Sequence, residues 1–118
     1  MPAIDHAVLD DLTSALGEAA VASMMPTFVA NMVEYRDQLA SAITENNFAA
    51  AKRAAHAMKG LAAQFGAPQV SALARSIEQD CRTINDVAQV LGKLVSAVAV
   101  AAQAIKARGN PALVGREN

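Results

Sequence analysis

Val21, Met25, Phe28, Met32, Tyr35, Leu39 and Ile43 recur at intervals of three and four residues. A β-strand cannot use that spacing, because its side chains alternate between two faces, whereas an α-helix gathers such positions into one stripe. The pattern predicts a long helix over residues 18–44, and the same spacing recurs along most of the chain. Val8, Leu9, Leu12 and Leu16 predict a first helix over about 5–16, stopped by Gly17. Phe48, Ala51, Ala55, Met58, Ala62 and Phe65 predict a third over about 48–65, with Gly66 as its C-terminal stop. Val70, Leu73, Ala74, Ile77 and Cys81 predict a fourth over about 68–82, with Pro68 in its first turn. Thr83, three residues before Asp86, resembles a capping box and opens a fifth helix that runs to about Ala107, where Gly109-Asn110-Pro111 ends it. Pro26 falls inside the second stripe, so a kink or a break is expected there. Asn46 and Asn47 make the turn before the third helix, and either can cap it.

Short loops between long amphipathic segments indicate an all-α fold, an up-down four-helix bundle with an additional short N-terminal helix. Its expected extent is residues 1–108, with 109–118 as a flexible C-terminal tail. A chain of 118 residues makes one domain with a core that needs no staples. The aromatic residues are three Phe and one Tyr, and alanine dominates the apolar set, which favours closely packed helices over a sheet. The net charge of −1 supplies no field for nucleic acid or an acidic membrane. A single cysteine, Cys81, excludes an intramolecular disulfide, is consistent with a reducing compartment, and lies on the apolar face of the fourth helix.

The stretch "MPAIDHAVLDDL" lacks the basic region and apolar run of a secretory signal. The most membrane-like segment, "VLGKLVSAVAVAAQAI" over 90–105, is interrupted by Lys93, Ser96 and Gln103. It falls short of the roughly 20 apolar residues that span a bilayer, and a buried core helix explains it better. The expected protein is soluble and cytoplasmic.

The third helix contains "AAHAMKGLAAQFGA", residues 54–67, where an interior glycine follows a histidine by one turn. Such a glycine costs about 1 kcal/mol relative to alanine. At 100° per residue, Ala51, Ala62 and Phe65 lie within roughly 40° of Met58, and His56 lies roughly 160° away, opposite the core. Its neighbours on that face are Ala49, Lys52, Arg53, Lys59, Gly60 and Ala63. The face therefore offers one imidazole and three cations, surrounded by residues with little side chain. Neutral imidazole is a nucleophile whose nitrogen can take a phosphoryl group, and ammonium groups within one turn stabilise the anionic product. Lys52 and Lys59 bracket His56 at i−4 and i+3. A partner delivering the group must bring its carboxylate and metal ion within bonding distance, and Gly60 removes the side chain nearest the approach. Phosphoryl transfer asks for positioning and charge neutralisation more than covalent machinery.

The stretch resembles the signature of histidine-containing phosphotransfer (HPt) domains, roughly H-x-[LM]-K-G followed by a small-residue region and G-[AS]. His56, Met58, Lys59, Gly60, Gly66 and Ala67 match it. "IDHAVLDDLTSALG", "FVANMVEYRDQLASAI" and "LARSIEQ", with Glu78, resemble the family's first, second and fourth helices, so the resemblance covers most of residues 4–107. It implies that His56 accepts and donates the phosphoryl group, that Lys59 stabilises charge, and that Gly60 gives steric access. Lys52, Arg53 and Ala63 are secondary candidates. Leu61 stands where a small or hydroxyl residue is common, which bears on the docking surface, and Ala57 where Thr is common.

The function this implies is that of a phosphorelay intermediate, shuttling a phosphoryl group between receiver-domain aspartates. The implied partners are response-regulator receiver domains, including one from a hybrid histidine kinase, with Mg2+ on the receiver and no cofactor or metal on this chain. There is no Gly-rich phosphate loop or kinase-like motif, so no ATP-dependent kinase activity is expected. A monomer is expected. Two other readings compete. One is an HPt-like module that docks receivers without transfer, against which the intact His56, Lys59 and Gly60 argue. The other is a helical adaptor or dimerisation bundle with an incidental histidine, which a dimer burying the His56 face would favour.

The remaining candidates are weaker. His6, beside Asp5 and Asp10, reads as a solvated side chain, and no Glu-x-x-His pairs exist for a metal bundle. Met24, Met25, Met32 and Met58 read as core filler. Glu45, Glu78 and Asp80 show no spacing for a paired acid and base. Val29 and Val33 sit off the main stripe of the second helix, packing on the first helix or forming part of a docking patch.

Overall fold

Helix ends in this chain are set by side-chain caps and by two left-handed glycines. In a computed structural model that describes residues 1–108, five helices follow one another: α1 (His6–Leu16), α2 (Glu18–Thr44), α3 (Phe48–Gln64), α4 (Pro68–Asp80) and α5 (Ile84–Arg108). The tail expected at 109–118 lies outside the described residues. The Asp5 carboxylate accepts from the N–H of Ala7 and starts α1, and Gly17, at φ 91°, ends it by donating to Thr13 O at 2.7 Å. Asn47, not Asn46, caps α3, its side-chain oxygen accepting from Ala50 N at 3.0 Å. Asn46 instead takes the left-handed turn position at φ 52°.

Gly66 stops α3 at φ 74°. Its carbonyl accepts from Asp5 N at 2.7 Å, and a Cβ there would lie 2.9 Å from the Asp5 carbonyl oxygen and 3.0 Å from Val8 Cβ. The glycine is thus both a helix stop and the seat of the segment that begins α1.

One helix end is corrected, and one of the two alternatives at Pro26 is removed. The fourth helix ends at Asp80 rather than Arg82, because the start of α5 captures the next residues. The Asp86 carboxylate accepts from the N–H groups of Arg82 at 2.9 Å and Thr83 at 3.2 Å, while Thr83 Oγ1 accepts from Asp86 N at 3.2 Å. This reciprocal cap draws Arg82 and Thr83 out of α4 and leaves Cys81 extended. Those N–H groups also hold the Asp86 carboxyl below its ordinary pKa. At Pro26 no break occurs, and α2 runs unbroken through it. The carbonyl that loses its partner belongs to exposed Ala22, where water can reach it.

Each of α2, α3, α4 and α5 packs on the next, and α5 returns to α2; α1 lies against α2. Phe28, Met32, Leu39, Met58, Ile77 and Leu94 fill the centre, with the Phe28 and Phe65 rings 4.6 Å apart and tilted by 33°. Ala51, Ala54, Ala55 and Ala62 on α3 and Ala74 on α4 are buried, which lets backbones approach closely. Of the α1 stripe only Leu9 is fully buried, and Leu16 is half exposed.

The fifth helix also departs from expectation. At 25 residues it is long and apolar enough, by length and composition, to cross a membrane, and only 28% of its most apolar window is buried. Val87, Leu94, Ala97, Val98, Ala101 and Ile105 face the core, but Val95 and Val100 are exposed. It is a one-sided helix, not one enclosed all round.

Candidate phosphoryl-transfer site

Packing of α3 through Ala51, Ala55, Met58 and Ala62 turns His56 outward, where its side chain is 70% exposed. The residues expected around it are there: Ala49, Arg53, Gly60 and Ala63 are exposed, and Lys52 and Lys59 are half-buried. A Cβ at Gly60 would meet no atom within 4 Å. The bundle has no packing reason for that glycine. Leu61, by contrast, packs against the core, so it lies largely off this surface.

Glu78 completes the site from α4. One carboxylate oxygen pairs with His56 Nδ1 and the other accepts from Lys59 Nζ. Spacing alone does not single out Glu78, because no local interval pairs it with another acid, and its link to His56 spans 22 residues. The only sequence signal is its place in the family-like "LARSIEQ". Inward-facing Val70, Ala74 and Ile77 leave Glu78 on the flank of α4 that borders α3, and Ser71 Oγ ties the two helices again by donating to Lys59 O at 3.3 Å.

The Lys59 ammonium, followed by the His56 imidazole, holds the Glu78 carboxyl below its ordinary pKa. The group is therefore ionised at neutral pH and can only accept hydrogen bonds. Nδ1 of His56 must carry a proton in that pair, so in the neutral ring the lone pair is the one on Nε2. The arrangement presents a nucleophilic nitrogen of defined tautomer beside a cation.

The two lysines are not equivalent. Lys59 joins the His56–Glu78 pair, whereas Lys52 lies over the Phe48 ring, 5.4 Å from its centroid. His6 takes no part, since its Nδ1 accepts from Arg108 Nη1 at 2.7 Å, and Arg108 also donates to Asp10 at 2.5 Å. Cys81 is buried, and that burial, reinforced by Asp86 and Asp80, pushes its thiol up. Among the described residues no three His, Cys, Asp or Glu side chains are grouped to hold a metal ion.

Comparison with known proteins bears on the fold and the family. The crystal structure of histidine-containing phosphotransfer protein B (HptB) from Pseudomonas aeruginosa PAO1 superposes with a TM-score of 0.85 at 21% identity, over 92% of this chain and 95% of that one. No curated protein matches the sequence. The family model described as Hpt domain matches residues 23–107, which include α3, α4 and the whole His56–Lys59–Glu78 cluster. Most of the chain lies within that match, and the protein belongs to the Hpt domain family.

Proposed function

We propose that His56 carries the phosphoryl group, with Lys59 and Glu78 preparing it and Gly60 opening the approach. Family membership makes the chain a histidine phosphotransfer protein of a phosphorelay. The observation that supports the assignment to His56 is its pairing through Nδ1 with an ionised Glu78 that also holds Lys59. In the forward step Nε2 attacks the phosphorus of a receiver aspartyl phosphate. The P–N bond forms, the P–O bond breaks, and the aspartate leaves as a carboxylate. The ring keeps its Nδ1 proton and gains positive charge, which Glu78 offsets, while Lys59 faces the incoming oxygens. The reverse sequence delivers the group to a second receiver.

Mg2+ on the receiver supplies the remaining charge neutralisation, and no kinase activity of the chain's own enters the cycle. The partners in this reading are response-regulator receivers, one of them from a hybrid histidine kinase, and the chain acts as a cytoplasmic monomer. The scaffold is an up-down four-helix bundle of α2 to α5, with α1 as an additional short helix and residues 1–108 as one domain. The cyclic packing order and short connections support that arrangement.

The test is labelling by phosphorylated receivers and by phosphoramidate, a small-molecule donor. His56→Gln should fold normally, because the side chain faces solvent, and take no label. The wild-type label should be acid-labile and base-stable, as a phosphoramidate bond is. Labelling of His56→Gln at the wild-type level would remove His56 from the mechanism.

A further inference from the structure

A receiver that reaches His56 covers more than the histidine, since a specific interface buries about 800 Å² on each partner. The surroundings of His56 are unequal on its two sides. Round the α3 axis, Lys52 and Lys59 lie roughly 40° and 60° to one side, and Gly60, Arg53 and Ala57 lie roughly 40°, 60° and 100° to the other. The first side is closed by the Lys59–Glu78 pair and the body of α4. The second leads over a glycine and an alanine into an open groove of about 640 Å³ between α2 and α3.

The groove has an apolar floor and charged rims. Ala50, Ala54 and Ala57 line it from α3, and Ala30 and Val33 from α2. Val33 thus faces this groove, one of the two positions open to it from sequence. Along the α2 rim stand Glu34, Asp37 and Glu45, with Arg53 opposite. Asp37 is neutralised by Arg36 at 3.0 Å, whereas Glu34 and Glu45 are exposed and pair with no cation among the described residues. Arg53 is the one cation facing these two carboxylates, so the rims keep a net negative charge beside small apolar residues, which attracts a basic, apolar surface and repels an acidic one.

We propose that the receiver approaches His56 from the α2 side, seating an apolar ridge in the α2–α3 groove with lysine or arginine opposite Glu34 and Glu45. This rests on the phosphotransfer reading and adds a rule of partner choice to it. Receivers with acidic or bulky polar ridges are rejected by the rim, although their aspartate chemistry is the same.

The test takes the receiver that binds the wild-type protein most tightly in a panel of purified receiver domains. Its affinity is measured for the wild type, the double variant Glu34→Lys/Glu45→Lys, and Ala57→Gln, with phosphoramidate labelling of His56 in parallel. Binding by the charge-reversed protein should weaken about tenfold or more at low salt, and the difference should shrink at high salt. Ala57→Gln should weaken binding at both salt concentrations, and labelling should match the wild type in both variants. Unchanged receiver affinity in both variants overturns the proposal. So does a wild-type dimer that the charge reversal dissociates while receiver binding stays constant, because the groove then belongs to a second copy. Absence of phosphoramidate labelling in the wild type is a different failure. It removes His56 as carrier, while the binding measurements still decide where the receiver docks.

Discussion

Glu78 on α4 pairs with Nδ1 of His56 on α3, and its second oxygen holds Lys59. One carboxylate thereby sets the tautomer of the imidazole and the position of the cation beside it. Glu78→Gln should keep an acceptor for Nδ1–H but lose the charge that holds Lys59, whereas Glu78→Ala loses both. Transfer is expected to fall in the order wild type, Gln, Ala. Nitrogen NMR of the ring should show the Nε2-protonated tautomer gaining population in the alanine variant. An unchanged tautomer ratio in Glu78→Ala would mean that the pair does not orient the histidine.

The same carboxyl predicts an acid effect on stability. Its folded-state pKa is lowered, so its contribution is fully present above the ordinary carboxylate value and is lost as pH falls through the lower folded value. Between about pH 5 and about pH 2 the wild type should lose more thermal stability than Glu78→Gln. Parallel melting curves for the two proteins would show that the ion pair adds nothing to the fold.

Lys59 and Lys52 should separate in mutagenesis, although both flank His56 in sequence. Lys59→Ala is expected to slow transfer about tenfold or more, in the range of a positioned electrostatic contact. Lys52→Ala should matter less to transfer, because that ammonium lies over Phe48. Equal losses in the two variants, read by single-turnover transfer, would favour a general positive field over a specific contact.

Gly60 and Gly66 should respond in opposite directions to alanine. The exposed Gly60 has open space around it, so Gly60→Ala should raise stability by up to about 1 kcal/mol. Transfer from a receiver should fall in Gly60→Ala and further in Gly60→Gln as the approach fills. Strong destabilisation by both would make Gly60 a packing residue.

Gly66→Ala should cost at least about 1–2 kcal/mol, because L-residues are strained in the left-handed region and the added Cβ would press on the Asp5 carbonyl. The melting temperature should fall by about 4 °C for each kcal/mol. A melting temperature equal to that of the wild type would show that the start of α1 is not held at this point.

Much of this architecture is local in origin and legible along the chain. The three-and-four spacing of apolar residues places five helices, the glycines and the Asn46-Asn47 pair mark helix ends, and the 100° step turns His56 away from Met58, while the choice of Asn47 as cap came from the structure. These features arise from backbone geometry over one or two turns, which can be counted along the sequence. Where α4 ends is less legible, because Asp86 lies beyond the helix whose last residues it captures. The continuity of α2 through Pro26 is also not legible, since it depends on which side of the helix meets water.

The sequence alone determined that His56 faces outward, away from the core, but the tertiary structure decided which residues stand beside it. Glu78 meets His56 only because alanines on α3 and α4 bring two backbones close and fix their relative rotation, a relation that no spacing within either helix encodes. The division of labour between Lys59 and Lys52, and the acidic groove beside Ala57, arise in the same way. Periodicity orients a side chain about its own helix axis; contact between helices depends on how their surfaces interlock, and that is settled when the core packs.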